Sequence, residues 1–301
     1  MNTIRAAFVA DALCLGPHWV YDQEKLLQAY PDGVTTTTAP VSEYHSEKKA
    51  GDFTHYGDQL LIALRSAAAN PPWSQDSFEK EWENYFRENS SSYANGATRE
   101  TLTRLTDPTA PESQSNDIAG ASRSLLIPPL LEGQEADAII QAARTQTAFT
   151  HGDAETIDTA ELFTRILLGL QNGTTLVESL EESCRHRYGT LDAQSYLEKV
   201  KNYLAANESR DPLHIAKEIG LSCHTPDALP LILYTLLRFN DDLEAALKFT
   251  ALAGGDNAAR AIPIAILMTS ASGWSEFMET LFSQVNAQPT IDQLLVEIGS
   301  N

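Results

Sequence analysis

Apolar residues recur at helical spacing along nearly the whole chain, and this pattern predicts a protein made of α-helices. The segment Asp158–Gln171 shows it most clearly, because its core ELFTRILLGL is strongly periodic and Asn172-Gly173 then follow as a typical C-terminal cap. Thr175 and Glu178 form a capping box, which predicts the start of the next helix. The same reasoning predicts helices over residues 4–13, 58–69, 77–89, 97–105, 120–131, 135–147, 193–206, 213–219, 226–238, 243–251, 258–270, 275–285 and 290–299.

The segments between these helices do not read as β-strands. Residues 34–57 and 106–116 are polar and predict loops, and Thr35–Thr38 is a β-prone run that stands alone. There is no internal repeat and no low-complexity linker in the sequence. We therefore expect an all-α fold in which residues 1–301 form a single helical domain.

Composition narrows the range of partners. Apolar residues make up 43% of the chain, which is enough for a large core, and the formal net charge is −20. Such an acidic chain is a poor binder of nucleic acid phosphates and of anionic lipid surfaces, so we expect neither partner. No stretch reaches the length of about 20 apolar residues that a membrane-spanning helix needs.

The cysteines and the N-terminus indicate the compartment. Cys14, Cys184 and Cys223 are widely spaced and odd in number, which favours a reducing compartment. The N-terminal apolar run is short and interrupted by Asp11, which is untypical of a signal peptide. We expect a cytoplasmic protein.

Three segments place polar groups next to glycines at helix ends. They are DALCLGPHWVYD at 11–22, GDFTHYGDQ at 51–59 and GGDN at 254–257. Glycine allows tight turns and close approach of a ligand, a helix N-terminus attracts anions, and carboxylates can hold a hard cation. Simpler interpretations are that Asp58, Asp256 and Asn257 only cap helices and that His18, His55, His151 and His224 are structural or surface residues.

Taken in order, the segments resemble the ADP-ribosylglycohydrolase family. Its N-terminal G-D-A-L-G motif is similar to Ala10–Cys14, and its T-D-D-T motif corresponds to HYGDQ at 55–59. A turn of the N-G-A-x-x-R type resembles Ala119–Arg123, and a Thr-His pair stands at Thr150-His151. The G-G-D-T-D-T motif resembles GGDNAA at 254–259, the most specific match.

The resemblance implies an orthogonal bundle of many α-helices with a central cleft. In the family, the cleft holds two magnesium ions whose ligands come from the two aspartate motifs. The ions grip the ribose hydroxyls and orient a water for cleavage of an ADP-ribosyl bond through an oxocarbenium-like state. The implied partner is therefore an ADP-ribosyl-type small molecule or an ADP-ribosylated protein.

The metal motifs depart from the family pattern. If Gln59 matches the family glutamine, Tyr56 and Gly57 replace both aspartates of the first motif, whereas a slip of one residue would let Asp58 stand for one of them. Ala258 and Ala259 replace the second aspartate and threonine of the last motif. Because hard cations need several anionic ligands, we expect at most one Mg²⁺. Its predicted ligands are Asp58, Asp256 and Asn257.

The remaining assignments follow from the same resemblance. The predicted catalytic residues are Asp58, Asp256 and His18. The predicted substrate-binding residues are His55, Tyr56, Asn257, Arg260, His151 and Arg123. Arg260 has two interpretations, a phosphate ligand or the partner of an aspartate such as Asp256 or Asp58.

Two functions remain open at this point. The replaced motifs resemble a divergent branch of the family, to which the eye-lens crystallins of jellyfish look similar. One hypothesis is a hydrolase that cleaves an ADP-ribosyl or related nucleotide-sugar bond, and polar residues kept in the cleft favour it. The alternative is a catalytically reduced member that binds ADP-ribose or has a structural use, and the loss of metal ligands favours it.

Overall fold

The computed structural model of the protein describes residues 1–89, 92–206 and 210–300. Within these ranges the regular structure is helical and there is no β-strand, only an isolated bridge between Asp117 and His224. The predicted all-α class is confirmed. The organisation as one domain stays a prediction.

The helices follow the chain in this order: α1 Asn2–Cys14, α2 Gln23–Ala29, α3 His55–Ala69, α4 Gln75–Glu88, α5 Gly96–Thr106, α6 Ala119–Ser124, α7 Ile127–Leu130, α8 Ala136–Ala148, α9 Ala154–Gln171, α10 Leu176–Arg185, α11 Ala193–Ala206, α12 Pro212–Ile219, α13 Thr225–Arg238, α14 Leu243–Ala253, α15 Asn257–Ser272, α16 Glu276–Phe282 and α17 Gln288–Gly299. A short 3-10 turn spans Glu43–His45. In the described part of the chain, no helix combines the length and the apolar character that crossing a membrane requires.

The centre of the fold is a pair of helices, α1 and α15. They pack along each other, and α15 also contacts α9, α13 and α14. Every residue of α15 from Asn257 to Thr269 is buried, because its many alanines let neighbouring helices approach from all sides. The N-terminus of α15 therefore lies inside the protein, and the residues that surround it form the candidate site.

Most of the helices predicted from periodicity are present with shifted ends. The capping box at Thr175 is confirmed, with both of its reciprocal hydrogen bonds formed. Helix α2 was not predicted, because its seven residues contain a single buried one, Leu26, and so lack an apolar stripe. Residues 90–91, which lie between the predicted helices 77–89 and 97–105, are outside the described ranges.

Helix α3 begins earlier than the sequence indicates. The side chain of Thr54 caps it by accepting a hydrogen bond from the Tyr56 N–H, so Asp58 lies inside the first turn. The interpretation of Asp58 as an N-cap is therefore wrong. The β-branched and aromatic residues before position 58 carry no helical signal of their own, and the start is set by tertiary contacts.

Those contacts come from Asp11 in α1. Its carboxylate is fully buried and accepts hydrogen bonds from the Thr54 N–H (2.8 Å), the Thr54 hydroxyl (2.6 Å) and the Gly57 N–H (3.1 Å). A Cβ atom at Gly57 would lie 2.3 Å from Asp11 Oδ2, so only glycine allows this approach. Asp11 thus fixes the N-terminus of α3 against the core.

The buried Asp11 carboxyl should leave a signature in the pH dependence of stability. Burial raises its pKa to about 7, in spite of the hydrogen bonds from Thr54. The folded state therefore binds this proton more tightly than the unfolded state, and its contribution to stability falls as pH rises from about 4 to 7. Asp11→Asn removes that contribution.

The measurement is urea unfolding of the wild type and Asp11→Asn at several pH values between 4 and 8. We expect the wild type to lose stability relative to the variant across this interval and the difference to level off above pH 7. Buried histidines act in the opposite sense in both proteins, so only the difference is diagnostic. If the free energy of unfolding changed with pH equally in the wild type and in Asp11→Asn, the raised pKa assigned to Asp11 would be contradicted.

Candidate functional site

The turn before α15 joins the three glycine-rich segments that the sequence singles out. Gly255 has φ +59°, and a Cβ there would lie 2.2 Å from the carbonyl oxygen of Leu221. Its N–H donates to the Val20 carbonyl (2.8 Å), and its own carbonyl accepts from the Trp19 N–H (2.8 Å). The turn is thereby held against the N-terminal segment, and Asp256 follows it at the start of α15.

Asp256 occupies the N-cap position of α15, but its side chain does not cap the helix. Instead, Oδ2 accepts hydrogen bonds from the Tyr56 hydroxyl (2.7 Å) and from Trp19 Nε1–H (3.1 Å). The other oxygen, Oδ1, is buried and has no hydrogen-bond partner among the described residues. The capping interpretation therefore fails for Asp256, and one oxygen of an oriented carboxylate is left open.

A second carboxylate, Asp117, shares the Tyr56 hydroxyl. Asp117 Oδ2 lies 3.1 Å from Tyr56 Oη, and Oδ1 accepts from the Ala119 N–H at 2.9 Å. Burial and the nearby Asp256 raise the pKa of Asp117, and burial also raises the pKa of the Tyr56 phenol well above its usual value. Because one hydroxyl carries one proton, Tyr56 can donate to only one of the two carboxylates at a time, and it bridges Asp117 and Asp256.

His18 lies beside this bridge with a defined tautomer. Asn257 donates through Nδ2 to the Ala251 carbonyl (3.1 Å), so its Oδ1 faces His18 Nδ1 at 3.0 Å as an acceptor. His18 must therefore carry its proton on Nδ1, which leaves the lone pair on Nε2. Nε2 is buried without a partner, and burial lowers the pKa of the ring, so His18 is a neutral base.

The same argument applies to a pair of stacked histidines. His45 Nε2 accepts the His55 backbone N–H (3.4 Å) and lies 3.3 Å from His55 Nδ1, which must then be the donor. The lone pair of His55 is left on Nε2, which also lacks a partner. Burial lowers the pKa of His45 to about 3 and that of His55 well below its usual value. Both rings are neutral at physiological pH.

Aromatic rings cover the carboxylates. The indole of Trp19 stacks on His18 with a centroid distance of 4.6 Å and meets Tyr44 and Tyr93 edge-on at 5.0 and 5.3 Å. Trp19 is the one non-glycine residue of the described chain with a positive φ, 57°. A left-handed conformation in a large side chain persists only where its surroundings hold it, here through Gly255 and Asp256.

Arg260 is buried on the far side of the turn. Its guanidinium donates to the carbonyls of Leu221 (3.0 Å) and Gly254, and its positive charge interacts with Asp256. Neither Asp256 nor Asp58 forms an ion pair with it in the described part of the chain, so the predicted salt bridge is wrong. In this arrangement, Arg260 holds two backbone segments together, and its role as a phosphate ligand stays a prediction.

Replacing Arg260 by Met should destabilise the protein. The Gly254 carbonyl would lose its donor, whereas the Leu221 carbonyl would keep the Asp256 N–H. One buried carbonyl left without a donor costs about 2 kcal/mol and lowers Tm by about 3 °C in a chain of this length. Thermal unfolding measures this, with Arg185→Met as the control, because Arg185 is 63% exposed in its pair with Glu181. Equal shifts in the two variants would contradict the structural role of Arg260.

Arg123 and His151 are also turned toward the interior. Arg123 donates to Gln59 Oε1 (2.6 Å) and Thr150 Oγ1 (2.7 Å), and His151 Nδ1 contacts the same Thr150 hydroxyl at 2.7 Å. Together with Tyr56 they line a cavity with room for about one water. The structure connects them to the site through Tyr56, and their predicted contact with substrate stays a prediction.

Asp58 points away from Asp256. Both of its carboxylate oxygens accept hydrogen bonds from Lys48 Nζ, at 2.9 and 2.7 Å. The position two residues after Tyr56 faces another side of α3. The catalytic and metal-ligating roles predicted for Asp58 find no supporting contact here.

One group of the described residues has ligand atoms close enough to hold a metal ion. It consists of Asp117, Cys223 and Asp256, whose ligand atoms all lie within 4.8 Å of one another. The group does not fit magnesium, because a thiol is a soft ligand and burial raises the pKa of Cys223, so its proton stays on. Two magnesium ions would need more ligands than one, and the side chains of Ala258 and Ala259 offer none.

Sequence reasoning missed several residues of the site, namely His45, Tyr93, Asp117 and Cys223. Asp117 lies two positions before the Ala119–Arg123 turn, and Cys223 lies in the SCHT segment at 222–225, so both had a neighbouring signal. His45 and Tyr93 lie in polar segments without periodicity. Their place beside Trp19 comes from the tertiary fold alone.

Comparisons with known proteins identify a family and a similar fold. The sequence profile of a family described as ADP-ribosylglycohydrolase matches residues 2–299. No curated protein matches the chain significantly. A solved structure described as "ADP-ribosylglycohydrolase-related protein complex" is similar with a TM-score of 0.69 and 15% sequence identity, covering 98% of this chain and 95% of that one. At this identity the likeness concerns the fold.

Proposed function

The chain belongs to the ADP-ribosylglycohydrolase family, and we propose that it hydrolyses an ADP-ribosyl or related nucleotide-sugar bond in the cleft around Asp256. The family suggests an ADP-ribosyl hydrolase-type activity on small-molecule or protein substrates, and it typically uses metal ions. The bond cleaved and the acceptor residue belong to the proposal. A cytoplasmic location also belongs to the proposal. So does the exclusion of nucleic acid and membranes as partners, which the net charge of −20 supports.

The observation that carries the proposal is the state of the Asp256 carboxylate. Two donors, Tyr56 and Trp19, fix Oδ2, while Oδ1 is buried and without a partner among the described residues. An unpaired buried carboxylate oxygen is costly, and a purely structural residue has no reason to keep one. Such an oxygen is suited to stabilising an oxocarbenium-like state or to activating a water.

The polar atoms around Asp256 indicate which part of the substrate enters. His18 Nε2, His55 Nε2 and Asp256 Oδ1 are all acceptors without donors. A ligand that satisfies them must bring hydroxyl or N–H groups, as a ribose does. The Nη groups of Arg123 and Arg260 already donate to protein atoms, and only their Nε–H groups are without partners among the described residues. We therefore place the sugar at Asp256 and the phosphates further out.

His18 is a candidate for the second proton-transfer group. Its neutral tautomer presents a lone pair at Nε2, and its Nδ1–H is anchored by Asn257. A base held in one orientation is what general catalysis of water attack needs. Asp117, whose raised pKa favours the protonated form, is a candidate proton donor to the leaving group.

Peptides that carry ADP-ribose on arginine or on serine test the proposal. Each is incubated with the protein, with and without Mg²⁺, and free ADP-ribose is measured against an Asp256→Ala background. Release above that background supports the hydrolase. Micromolar ADP-ribose binding without turnover would instead identify a binding protein, and neither binding nor turnover would contradict both functions.

A further inference from the structure

We propose that the Tyr56 hydroxyl, together with the positive charge of Arg260, takes the place of the family's divalent cations, so that Asp256 works without a bound ion. The inference rests on the proposed function only where activity is measured. Its cation-binding part can be tested on the folded protein alone.

The Tyr56 hydroxyl lies where a bridging metal ion would have to bind. Tyr56 Oη lies 2.7 Å from Asp256 Oδ2 and 3.1 Å from Asp117 Oδ2, so it occupies the gap between the two carboxylates. A magnesium ion that bridged them would need to lie about 2.1 Å from each oxygen. The phenol oxygen and such an ion cannot share that space.

The other groups around Asp256 are already hydrogen-bonded or are not metal ligands. Trp19 Nε1–H also donates to Asp256 Oδ2. Ala258 and Ala259, which replace the ligands of the family's last motif, have no polar side chain, and both are buried. Asp58, the remaining carboxylate of the first motif, is paired with Lys48. The carboxylate of Asp117 does converge on Asp256, but the Tyr56 hydroxyl lies between the two. Cys223 beside them is a thiol whose pKa is raised by burial, so it keeps its proton.

The positive charge of Arg260 also reduces the need for a metal ion at Asp256. A divalent cation would neutralise Asp256, and here a fixed cation is already present. Arg260 is buried, its charge interacts with Asp256, and its hydrogen bonds to Leu221 and Gly254 keep it in place. A buried carboxylate that has a permanent positive charge nearby and two hydrogen-bond donors does not require a metal ion for its charge to be tolerated.

Titration with MgCl₂ and, separately, with ZnCl₂ tests the proposal. Calorimetry and the shift in Tm report binding. We expect no saturable binding to the wild type that depends on Asp256, and a Tm change below about 1 °C. Tyr56→Asp empties the gap and adds a carboxylate at its edge, which should create a Mg²⁺ site and raise Tm by about 4 °C at a hundredfold excess over Kd. Tyr56→Phe, the matched control without a carboxylate, should gain no such site.

Several outcomes would overturn the proposal. One is Mg²⁺ binding by the wild type that Asp256→Asn abolishes, and another is Zn²⁺ binding that Cys223→Ser abolishes. A folded Tyr56→Asp protein that gains no affinity would show that Tyr56 is not what excludes the ion. If Tyr56→Asp does not fold, the wild-type and Asp256→Asn titrations still decide. Failure to release ADP-ribose from peptides would count against the proposed function and leave the titrations standing.

Discussion

Replacing Asp256 by Asn is expected to lower the rate of ADP-ribose release about a thousandfold while leaving the fold intact. Asparagine keeps an oxygen that can accept from Tyr56 and Trp19, so packing around the bridge is preserved. It removes the negative charge and the lone pairs of Oδ1, which are the features assigned to catalysis. The measurement is turnover under saturating substrate, with Tm as the test of folding.

Asp292→Asn is the control for this experiment. Asp292 pairs with Arg5 and is 37% exposed, so the same change of charge there should leave turnover unaltered. The same assay on Asp58→Asn is informative, because a loss comparable to that of Asp256→Asn would place Asp58 in the reaction after all. Full activity of Asp256→Asn would remove Asp256 from the mechanism.

Replacing Asp11 by Ala is expected to cause the largest loss of stability of any single carboxylate substitution discussed above. Three buried donors from Thr54 and Gly57 would lose their acceptor, and a cavity would form between α1 and α3. The cost is about 3 kcal/mol, which corresponds to a Tm decrease of about 5 °C in a chain of this length. Thermal and urea unfolding measure it.

Asp22→Ala is the matched control for Asp11→Ala. Asp22 also accepts two backbone N–H groups, from Glu24 and Lys25 at the start of α2, but it is exposed to solvent. Loss of an exposed N-cap costs about 1 kcal/mol, so its effect on Tm should be below about 2 °C. A similar decrease in both variants would show that burial of Asp11 adds nothing.

The sequence allowed the fold class and most helices to be predicted, because amphipathic periodicity and caps are local. Long helices such as α9 carry many apolar positions in register, and their ends carry their own signals. Helix α2 and the start of α3 could not be predicted in the same way. The first has a single buried residue, and the second is fixed by Asp11, which lies 43 positions away from Thr54 in the chain.

The site was predictable only where a glycine marks a helix end. Asp256, Asn257 and His18 were identified and lie together, since the GGDN turn is held against the segment that carries His18 and Trp19. Asp58 was singled out for its residue type, but helical geometry turns it toward Lys48. Asp117 and His45 reach the candidate site through tertiary packing, which periodicity does not encode. Tyr56 was identified within the HYGDQ segment, but its contact with two carboxylates was not predictable.

Release of ADP-ribose from ADP-ribosylated peptides by the wild type in excess EDTA tests the central claim most directly. The claim is that an oriented Asp256, held by Tyr56 and without a divalent cation, performs the hydrolysis. It predicts that EDTA leaves the rate unchanged and that Asp256→Asn lowers it about a thousandfold. Release that EDTA stops and added Mg²⁺ restores, or release that persists in Asp256→Asn, would contradict it.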